Sequence, residues 1–260
     1  MKSLAKSVLK TFGLLPFAKR VRLGLKARGF TPWTPLVPEQ AFTDCASRAI
    51  ALLRREGHQF GDYLEFGVSR GTSMACTWRA LDRAGLGKTR LLGFDSFEGL
   101  AADAGKEGWV PGDFASTEAA TRRYLASRGV PKDSIRLVKG WFKDTATPAT
   151  REALQITKAS IIMVDCDAYT PSREALWFVA DLIDDHAVLL FDDWGWAVKD
   201  GNIGQKEAFD EFCQAFPQFS ATPVPAYRNE ARAFLVSRSR AADRTAHDPR
   251  RGRDARSRHA

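Results

Sequence analysis

Short apolar runs that end in glycine or an acidic residue recur through the middle of the chain and predict the strands of a sheet. Between them, apolar residues recur at helical spacing. Strands that alternate with helices in this way indicate an α/β fold with a mostly parallel sheet covered on both faces. The predicted strands are residues 63–66, 91–94, 135–138, 161–164, 188–191 and 232–237, and the predicted helices are residues 39–55, 74–84, 116–128, 171–183 and 204–216.

The two ends of the chain differ from this middle part in charge. The 260 residues carry a net charge of +8, of which residues 1–30 contribute +8 and residues 238–260 contribute +5, so the body between them carries −5. The charge therefore describes the ends and not the body. We expect a basic N-terminal arm or amphipathic helix at 1–30 that Pro16 interrupts, a linker or lid with a leading helix at 31–58, the main domain at 59–237, and a disordered arginine-rich tail at 238–260.

Cysteine usage and hydropathy exclude several classes of protein. The four cysteines are widely spaced, without a C-x-x-C pair or a neighbouring histidine pair, so we expect reduced thiols in a cytoplasmic protein and no zinc site. No apolar run approaches the roughly 20 residues that span a bilayer. Lys6 and Lys10 interrupt the first apolar stretch, which argues against a secretory signal.

The segment 62–73, DYLEFGVSRGTS, predicts a strand, a glycine turn and the start of a helix. Gly67 and Gly71 let the backbone come close to a ligand, and the free N–H groups of a helix start favour an electron-rich partner. The pattern is E-x-G-x-x-x-G, which is neither the G-x-G-x-x-G of dinucleotide folds nor a phosphate-binding loop. Taken alone, glycines in this position more often form an ordinary tight turn than a binding site.

Acidic residues follow several of the predicted strands, and the carboxyl ends of parallel strands line the crevice where ligands bind. Asp165 follows one buried run, and Asp192 and Asp193 follow the next. Carboxylates brought together repel one another unless a cation neutralises them, and hard oxygen ligands suit Mg²⁺. Asp95 follows the second strand, where a carboxylate accepts the hydroxyls of a ribose; an N-cap for the next segment is the alternative.

The motifs EFGVSRGTS, FDSFEGL, GWFKDT, DCDAYTPS and FDDW, in this order, resemble the macrocin O-methyltransferase family, whose members methylate sugar hydroxyls with S-adenosylmethionine. The resemblance covers about residues 60–237. It implies a Rossmann-like class I methyltransferase fold with a mostly parallel seven-stranded sheet. It also implies a site in which the methionine end of the cofactor lies at Glu65, Gly67, Val68, Gly71, Thr72 and Ser73, the ribose at Asp95 and Ser96, the adenine at Gly140, Trp141 and Phe142, and Mg²⁺ at Asp165, Asp192 and Asp193.

The resemblance implies methyl transfer to a hydroxyl, with a divalent cation that lowers the pKa of the acceptor. Catechol methyltransferases place a lysine three residues after the first metal-binding Asp, where this chain has Ala168, so Asp167 and Tyr169 are the candidate bases beside Asp165. The chain also departs from the family at Asp185-His186, where Gly-Gly is usual, and after FDDW, where GWAVKDGN replaces a short turn. These departures leave the acceptor open.

Other functions are compatible with parts of the sequence. The basic ends suggest an α/β protein that acts on nucleic acid or touches a membrane surface through residues 1–28, although the acidic body and the lack of interleaved aromatic residues disfavour nucleic acid. A nicotinamide dehydrogenase is disfavoured by the glycine pattern. A methyltransferase for a non-sugar hydroxyl and a homo-oligomer remain open. The interpretation we favour is an enzyme for a small-molecule hydroxyl acceptor, and a sugar is the acceptor class that we expect.

Overall fold

The computed structural model describes residues 15–31, 33–102, 104–107, 109–195 and 203–239. These residues form seven β-strands, which are β1 (Asp62–Phe66), β2 (Leu91–Asp95), β3 (Ile135–Lys139), β4 (Ala159–Val164), β5 (His186–Phe191), β6 (Phe219–Val224) and β7 (Arg232–Arg238). They also form eight α-helices, which are α1 (Leu15–Ala27), α2 (Glu39–Arg55), α3 (Thr72–Arg83), α4 (Glu118–Ser127), α5 (Phe142–Thr145), α6 (Pro148–Ala153), α7 (Tyr169–Val179) and α8 (Gln205–Ala215).

The strands form one sheet in the order β3-β2-β1-β4-β5-β7-β6. The first five strands of that order are parallel, whereas β7 pairs antiparallel with both β5 and β6. The prediction of a mostly parallel, seven-stranded, Rossmann-like sheet is therefore confirmed. The sequence pattern did not predict β6, because this edge strand contains Pro223 and only some of its side chains are buried.

Alternation of side chains along the strands divides the core between the two faces of the sheet. Tyr63, Met163 and Leu190 pack on the face covered by α2 and α3. Leu64, Phe66, Phe94, Leu189 and Phe191 pack on the face covered by α7 and α8. Each such side chain contributes about 1.5–3 kcal/mol when it is fully buried. Because both faces are covered, the ends of the strands are where polar groups of the sheet meet a ligand.

The N-terminal part of the described chain is held at the C-terminal end of α1. The N–H of Thr117 donates to the carbonyl of Ala27 at 2.9 Å, and the guanidinium of Arg70 donates to the carbonyl of Lys26 at 2.5 Å. Arg70 also stacks on Trp33, 4.7 Å from the ring centroid. These contacts tie Lys26 and Trp33 to Arg70 in the glycine turn that follows β1, and Ala27 to the residue before α4.

Several predictions for the ends of the chain fall partly outside the described residues. Pro16 is the second residue of α1, a position in the first helical turn that suits proline. The expected interruption at Pro16 stays a prediction, because the residues before Leu15 lie outside the described residues. Residues 1–14 of the basic arm and residues 240–260 of the arginine-rich tail lie outside the described residues. Among those described, no helix combines the length and the apolar composition needed to cross a membrane.

Candidate active site

Backbone hydrogen bonds continue one residue past β1, β3 and β4 and bring the carboxyl ends of neighbouring strands together. The N–H of Gly67 donates to Phe94 at 2.9 Å, and the N–H of Gly140 donates to Asp95 at 3.0 Å. On the other side of β1, the N–H of Asp165 donates to the carbonyl of Phe66 at 2.8 Å. The residues that the sequence singled out after β1, β2, β3 and β4 therefore share one edge of the sheet, which we call the carboxyl edge.

The two glycines of the turn after β1 have different structural tasks. Gly67 adopts φ 93°, and a Cβ atom there would lie 1.6 Å from the carbonyl oxygen of Asp165. Only glycine allows the backbone of the turn and that of Asp165 to come so close. Gly71 adopts φ 88° and caps the N-terminus of α3, whose first residue is Thr72. Both positions require a left-handed backbone, so the turn is built for close approach.

Glu65 lies beneath this turn and is fully buried. Its carboxyl accepts hydrogen bonds from the Tyr63 hydroxyl at 2.6 Å and from the Ser73 hydroxyl at 2.5 Å. Burial raises the pKa of Glu65 to about 8, although these two hydroxyls lower it. The side chain links β1 to the first turn of α3, and both of its oxygens have partners within the protein. The sequence contains a sign of this link, because Tyr63 stands two residues before Glu65 and residues two apart in a strand lie on the same face.

Asp95 holds the turn against the end of β2. One carboxylate oxygen accepts from the N–H of Ser69 at 2.7 Å, and the other accepts from the N–H of Phe97 at 2.6 Å. Burial raises the pKa of Asp95, and these backbone donors oppose that shift. Each carboxylate oxygen has a second lone pair, so the residue still has capacity to accept from a ligand. Ser96, the next residue, donates to the carbonyl of Gly99 at 3.0 Å.

The segment after β3 offers one exposed aromatic side chain. Trp141 is 36% exposed, whereas Phe142 is buried and packs on Phe66 with 5.5 Å between ring centroids. Of the residues predicted at the adenine, Trp141 is exposed and Gly140 is half-buried. Phe142 belongs to the core and supports the segment from below.

Asp165, Asp192 and Asp193 converge at the ends of β4 and β5. One ligand atom from each lies within 4.8 Å of the other two. Burial raises the pKa of all three carboxyls, and for Asp165 the neighbouring charges of Asp192 and Asp193 raise it further. One oxygen of Asp193 is buried without a hydrogen-bond partner. Three converging carboxylates that repel one another, one of them with an oxygen that has no donor, fit a hard divalent cation.

The two candidate bases of the D-x-D-x-Y motif have different surroundings. Asp167 adopts φ 63°, and burial together with the charge of Asp192 raises its pKa to about 7, while Arg228 lowers it. It therefore shares the electrostatic environment of the three aspartates. The hydroxyl of Tyr169 donates to Glu211 of α8 at 2.5 Å, beside the ion pair of Glu211 with Arg173 at 3.0 Å. That partner gives Tyr169 a role in packing α7 against α8.

Three residues of this site were missed by sequence reasoning. Tyr227 and Arg228 lie on the turn between β6 and β7. The Tyr227 hydroxyl donates to one oxygen of Asp192, and Arg228 donates to the other at 2.6 Å. Buried Gln205, the first residue of α8, accepts from the N–H of Asp193 at 2.9 Å and donates to the carbonyl of Val164 at 3.2 Å. No local pattern marks these residues, because their elements lie far from the aspartates in sequence.

Comparison with known proteins identifies the class of this fold and site. Residues 64–194 match the family model described as a methyltransferase domain, and the chain belongs to this family. That match confirms the prediction of a methyltransferase, and family membership implies S-adenosylmethionine as the methyl donor. No curated protein sequence matches the chain.

Solved structures of similar fold include two named methyltransferases. The O-methyltransferase NovP is 20% identical over 77% of this chain and 80% of its own, with a TM-score of 0.62. CalS11, described as a calicheamicin methyltransferase, is 19% identical over 74% of this chain and 76% of its own, with a TM-score of 0.57. A second CalS11 structure, described as a TDP-rhamnose 3′-O-methyltransferase, has a TM-score of 0.52. At these identities the likeness establishes the shared class I fold.

Proposed function

We propose that this chain transfers a methyl group from S-adenosylmethionine to a hydroxyl of a sugar or glycosylated small molecule, with the help of a divalent cation. The observation that carries the proposal is the cluster of Asp165, Asp192 and Asp193 beside the glycine turn. The motifs that resemble macrocin O-methyltransferases support it. The similar fold of NovP, an O-methyltransferase, and of CalS11, a TDP-rhamnose 3′-O-methyltransferase, supports the choice of a sugar acceptor.

The carboxyl edge supplies the groups that would bind the methyl donor. S-Adenosylmethionine supplies a methyl group on a sulfonium, which is electrophilic without further activation. Asp95 would accept the ribose hydroxyls with its remaining lone pairs, and Trp141 would cover the adenine. Glu65 acts from beneath by fixing the first turn of α3. The residues that we assign to this cofactor are Glu65, Gly67, Val68, Gly71, Thr72, Ser73, Asp95, Ser96, Gly140, Trp141 and Phe142.

Asp165, Asp192 and Asp193 would hold the cation, and hydrogen bonds and backbone contacts from other parts of the protein fix their positions. Mg²⁺ would act there as a Lewis acid that lowers the pKa of the acceptor hydroxyl. Gln205 fixes the backbone of Asp193 relative to the end of β4 through its bonds of 2.9 and 3.2 Å. Asp165 is fixed by the backbone contact with Gly67. Methyl donor and acceptor would therefore be positioned by neighbouring strand ends of one rigid sheet.

Asp167 is our candidate for the group that takes the proton from the acceptor hydroxyl. It follows the metal-ligand candidate Asp165 by two residues, and charges of the same cluster act on it. A carboxyl whose pKa is raised to about 7 is suited to accept a proton at neutral pH. Tyr169 is the second candidate, and its bond to Glu211 makes it the weaker one.

The four cysteines are all unpaired, which supports a cytoplasmic location. The basic ends leave nucleic acid as a second candidate partner, but the net charge of −5 on the body disfavours a polyanion at this site. The acceptor that we assign is therefore a small molecule.

Two measurements test the proposal. Calorimetry with S-adenosylhomocysteine should detect binding to the purified full chain, and Asp95→Ala should weaken it by roughly 10-fold or more, because charge-assisted hydrogen bonds contribute about 1.5–3 kcal/mol. Radiolabel transfer from S-adenosylmethionine should then be measured for sugar nucleotides, glycosylated metabolites, catechols and RNA. Transfer to sugars that stops in EDTA and returns with Mg²⁺ is the expected result. Full turnover in EDTA would rule out a role for the cation in methyl transfer. Transfer to RNA alone would rule out a small-molecule sugar as the acceptor.

A further inference from the structure

The turn of residues 225–231 places the guanidinium of Arg228 against the acid cluster, by which we mean Asp165, Asp192 and Asp193. The Nη2 atom of Arg228 lies 2.6 Å from one carboxylate oxygen of Asp192, 3.2 Å from its carbonyl oxygen and 3.7 Å from Asp193. The Tyr227 hydroxyl takes the other carboxylate oxygen of Asp192. Both side-chain oxygens of Asp192 thus have protein donors, whereas one oxygen of Asp193 has none. The cluster is neutralised unevenly, and Asp192 receives most of the compensation.

A divalent cation would compete with Arg228 for this place. Mg²⁺ sits roughly 2.1 Å from each of its oxygen ligands. A cation bound to the Asp192 oxygen that Arg228 contacts at 2.6 Å would therefore lie within a few ångströms of the guanidinium. Two positive charges at that distance repel strongly in a buried site. The free energy by which Arg228 stabilises the metal-free state must be overcome when the metal binds, so it lowers the apparent affinity for the metal.

The two neighbours on this turn differ in how firmly they are held. The Tyr227 ring is buried and packs edge-on against Phe42 of α2, with 4.6 Å between centroids. Arg228 reaches the cluster through one nitrogen only, its Nε has no hydrogen-bond partner among the described residues, and its side chain remains 24% exposed. An open cavity of about 590 Å³ beside Arg228 and Asn229 leaves room for the side chain to swing out. Tyr227 anchors the turn, and Arg228 is its movable member.

We propose that Arg228 is a built-in counter-cation of the acid cluster, which occupies Asp192 in the metal-free protein and leaves it when a divalent ion binds. Arg228 is in this sense a positioning residue, because it acts through Asp192 and sets how tightly the ion is held. The inference rests on the proposed function only in assuming that the cluster binds a metal. It adds that the turn between β6 and β7 senses whether the metal is present.

The test is calorimetric titration of metal-free full chain with Mn²⁺ alone. Arg228→Met keeps the length of the side chain and removes the charge, and it should bind Mn²⁺ at least about tenfold more tightly than the wild type. Arg232→Met is the matched control. Arg232, the first residue of β7, is exposed and donates to the carbonyls of Asn229 and Ala231 at 2.8 and 2.7 Å, so its loss should leave the affinity for Mn²⁺ unchanged.

Equal or weaker Mn²⁺ binding by Arg228→Met would overturn the inference, and so would an equal gain in Arg232→Met. Absence of Mn²⁺ binding in every protein, with S-adenosylhomocysteine still bound, would also overturn it while leaving methyl transfer intact. Loss of S-adenosylhomocysteine binding in the wild type would instead count against the proposed function.

A second measurement needs no substitution. Saturation of the wild-type protein with Mn²⁺ should speed amide hydrogen exchange in residues 225–231, because Arg228 is released from Asp192. Unchanged or slower exchange there would contradict the inference, even if Arg228→Met failed to fold.

Discussion

The two edges of the parallel sheet carry charge in opposite ways. At the amino edge, where the strands begin, each carboxylate of the central strands has a cation beside it. Arg90 bonds both oxygens of Asp62, at 2.8 and 2.5 Å, and Asp185 lies 3.1 Å from Lys158 and 2.7 Å from His58. At the carboxyl edge, three aspartates converge and only part of their charge is compensated. Paired charges hold the amino edge together, whereas the unpaired ones leave the carboxyl edge ready for a ligand.

The same difference shows in a chain of hydrogen bonds at the amino edge. Asp185, His58 and Ser160 are linked in series at 2.7 Å each, which is the order of groups that activates a serine nucleophile. Yet Ser160 is 1% exposed and its hydroxyl also accepts from the N–H of Gly61 at 2.7 Å. A substrate has no access to it. Residue types alone therefore do not define a site. A site also needs polar atoms without protein partners and a path by which a substrate can reach them.

The largest expected effect comes from removing a charge at the carboxyl edge. Asp193→Asn should lower turnover by roughly 100-fold or more, because a Lewis acid contributes several kcal/mol to the transition state. Binding of S-adenosylhomocysteine, measured by calorimetry, should persist. The matched control is Asp185→Asn at the amino edge, which should retain turnover per folded molecule. Equal losses of turnover in the two variants would erase the distinction between the edges.

The next effect breaks a pair at the amino edge. Arg90→Met leaves the buried Asp62 without its partner and should lower the free energy of unfolding by about 2–3 kcal/mol, less than for a fully buried pair because Arg90 is partly exposed. Urea denaturation measures this change. Arg136→Met, which removes an arginine bonded only to nearby carbonyls of Asp133 and Ile135, is the control. An unchanged unfolding midpoint in Arg90→Met would show that the pairing is not stabilising.

The dependence of stability on pH should have opposite signs at the two edges. Burial raises the pKa of Glu65 from 4.5 to about 8, so its contribution to stability is complete below pH 4.5 and is lost as the pH rises towards 8. The slope is about 1.4 kcal/mol per pH unit. Burial lowers the pKa of His58 from 6.5, so the folded state loses stability as the pH falls below 6.5. Lys158 and His186 lower this pKa too, while Asp185 opposes the shift.

Glu65→Gln should therefore gain stability relative to the metal-free wild type as the pH rises from 4.5 to 8. His58→Gln should gain relative to it as the pH falls below 6.5. Urea denaturation across this range measures both differences. Parallel trends in the two variants would contradict the assignment of opposite signs.

The smallest effect is expected from the C-terminal end. Removing residues 240–260 deletes seven arginines and three aspartates, all of which lie outside the described residues, and almost no apolar side chain. The free energy of unfolding should change by less than about 0.5 kcal/mol, as for surface changes in general. A larger change, or an altered pH dependence, would show that net charge and not local pairing governs the stability of this fold.

Much of the parallel sheet could be predicted, because continuous apolar runs such as residues 161–164 and 188–191 are typical of strands buried on both faces. The convergence of Asp165, Asp192 and Asp193 followed from the same rule, since neighbouring parallel strands end at one edge. Tyr227 and Arg228 could not be predicted. They reach Asp192 from an antiparallel turn after an edge strand that contains Pro223, and their contact depends on a tertiary pairing that no local spacing encodes.

The contact between Gly67 and Asp165 has a consequence for how this enzyme can vary. A single added carbon at Gly67 would meet the Asp165 carbonyl at 1.6 Å, so any substitution displaces the turn after β1 and Asp165 together. The turn after β1 and the end of β4 can therefore change position only together. We therefore expect variation between related chains in the surrounding loops and not at this junction.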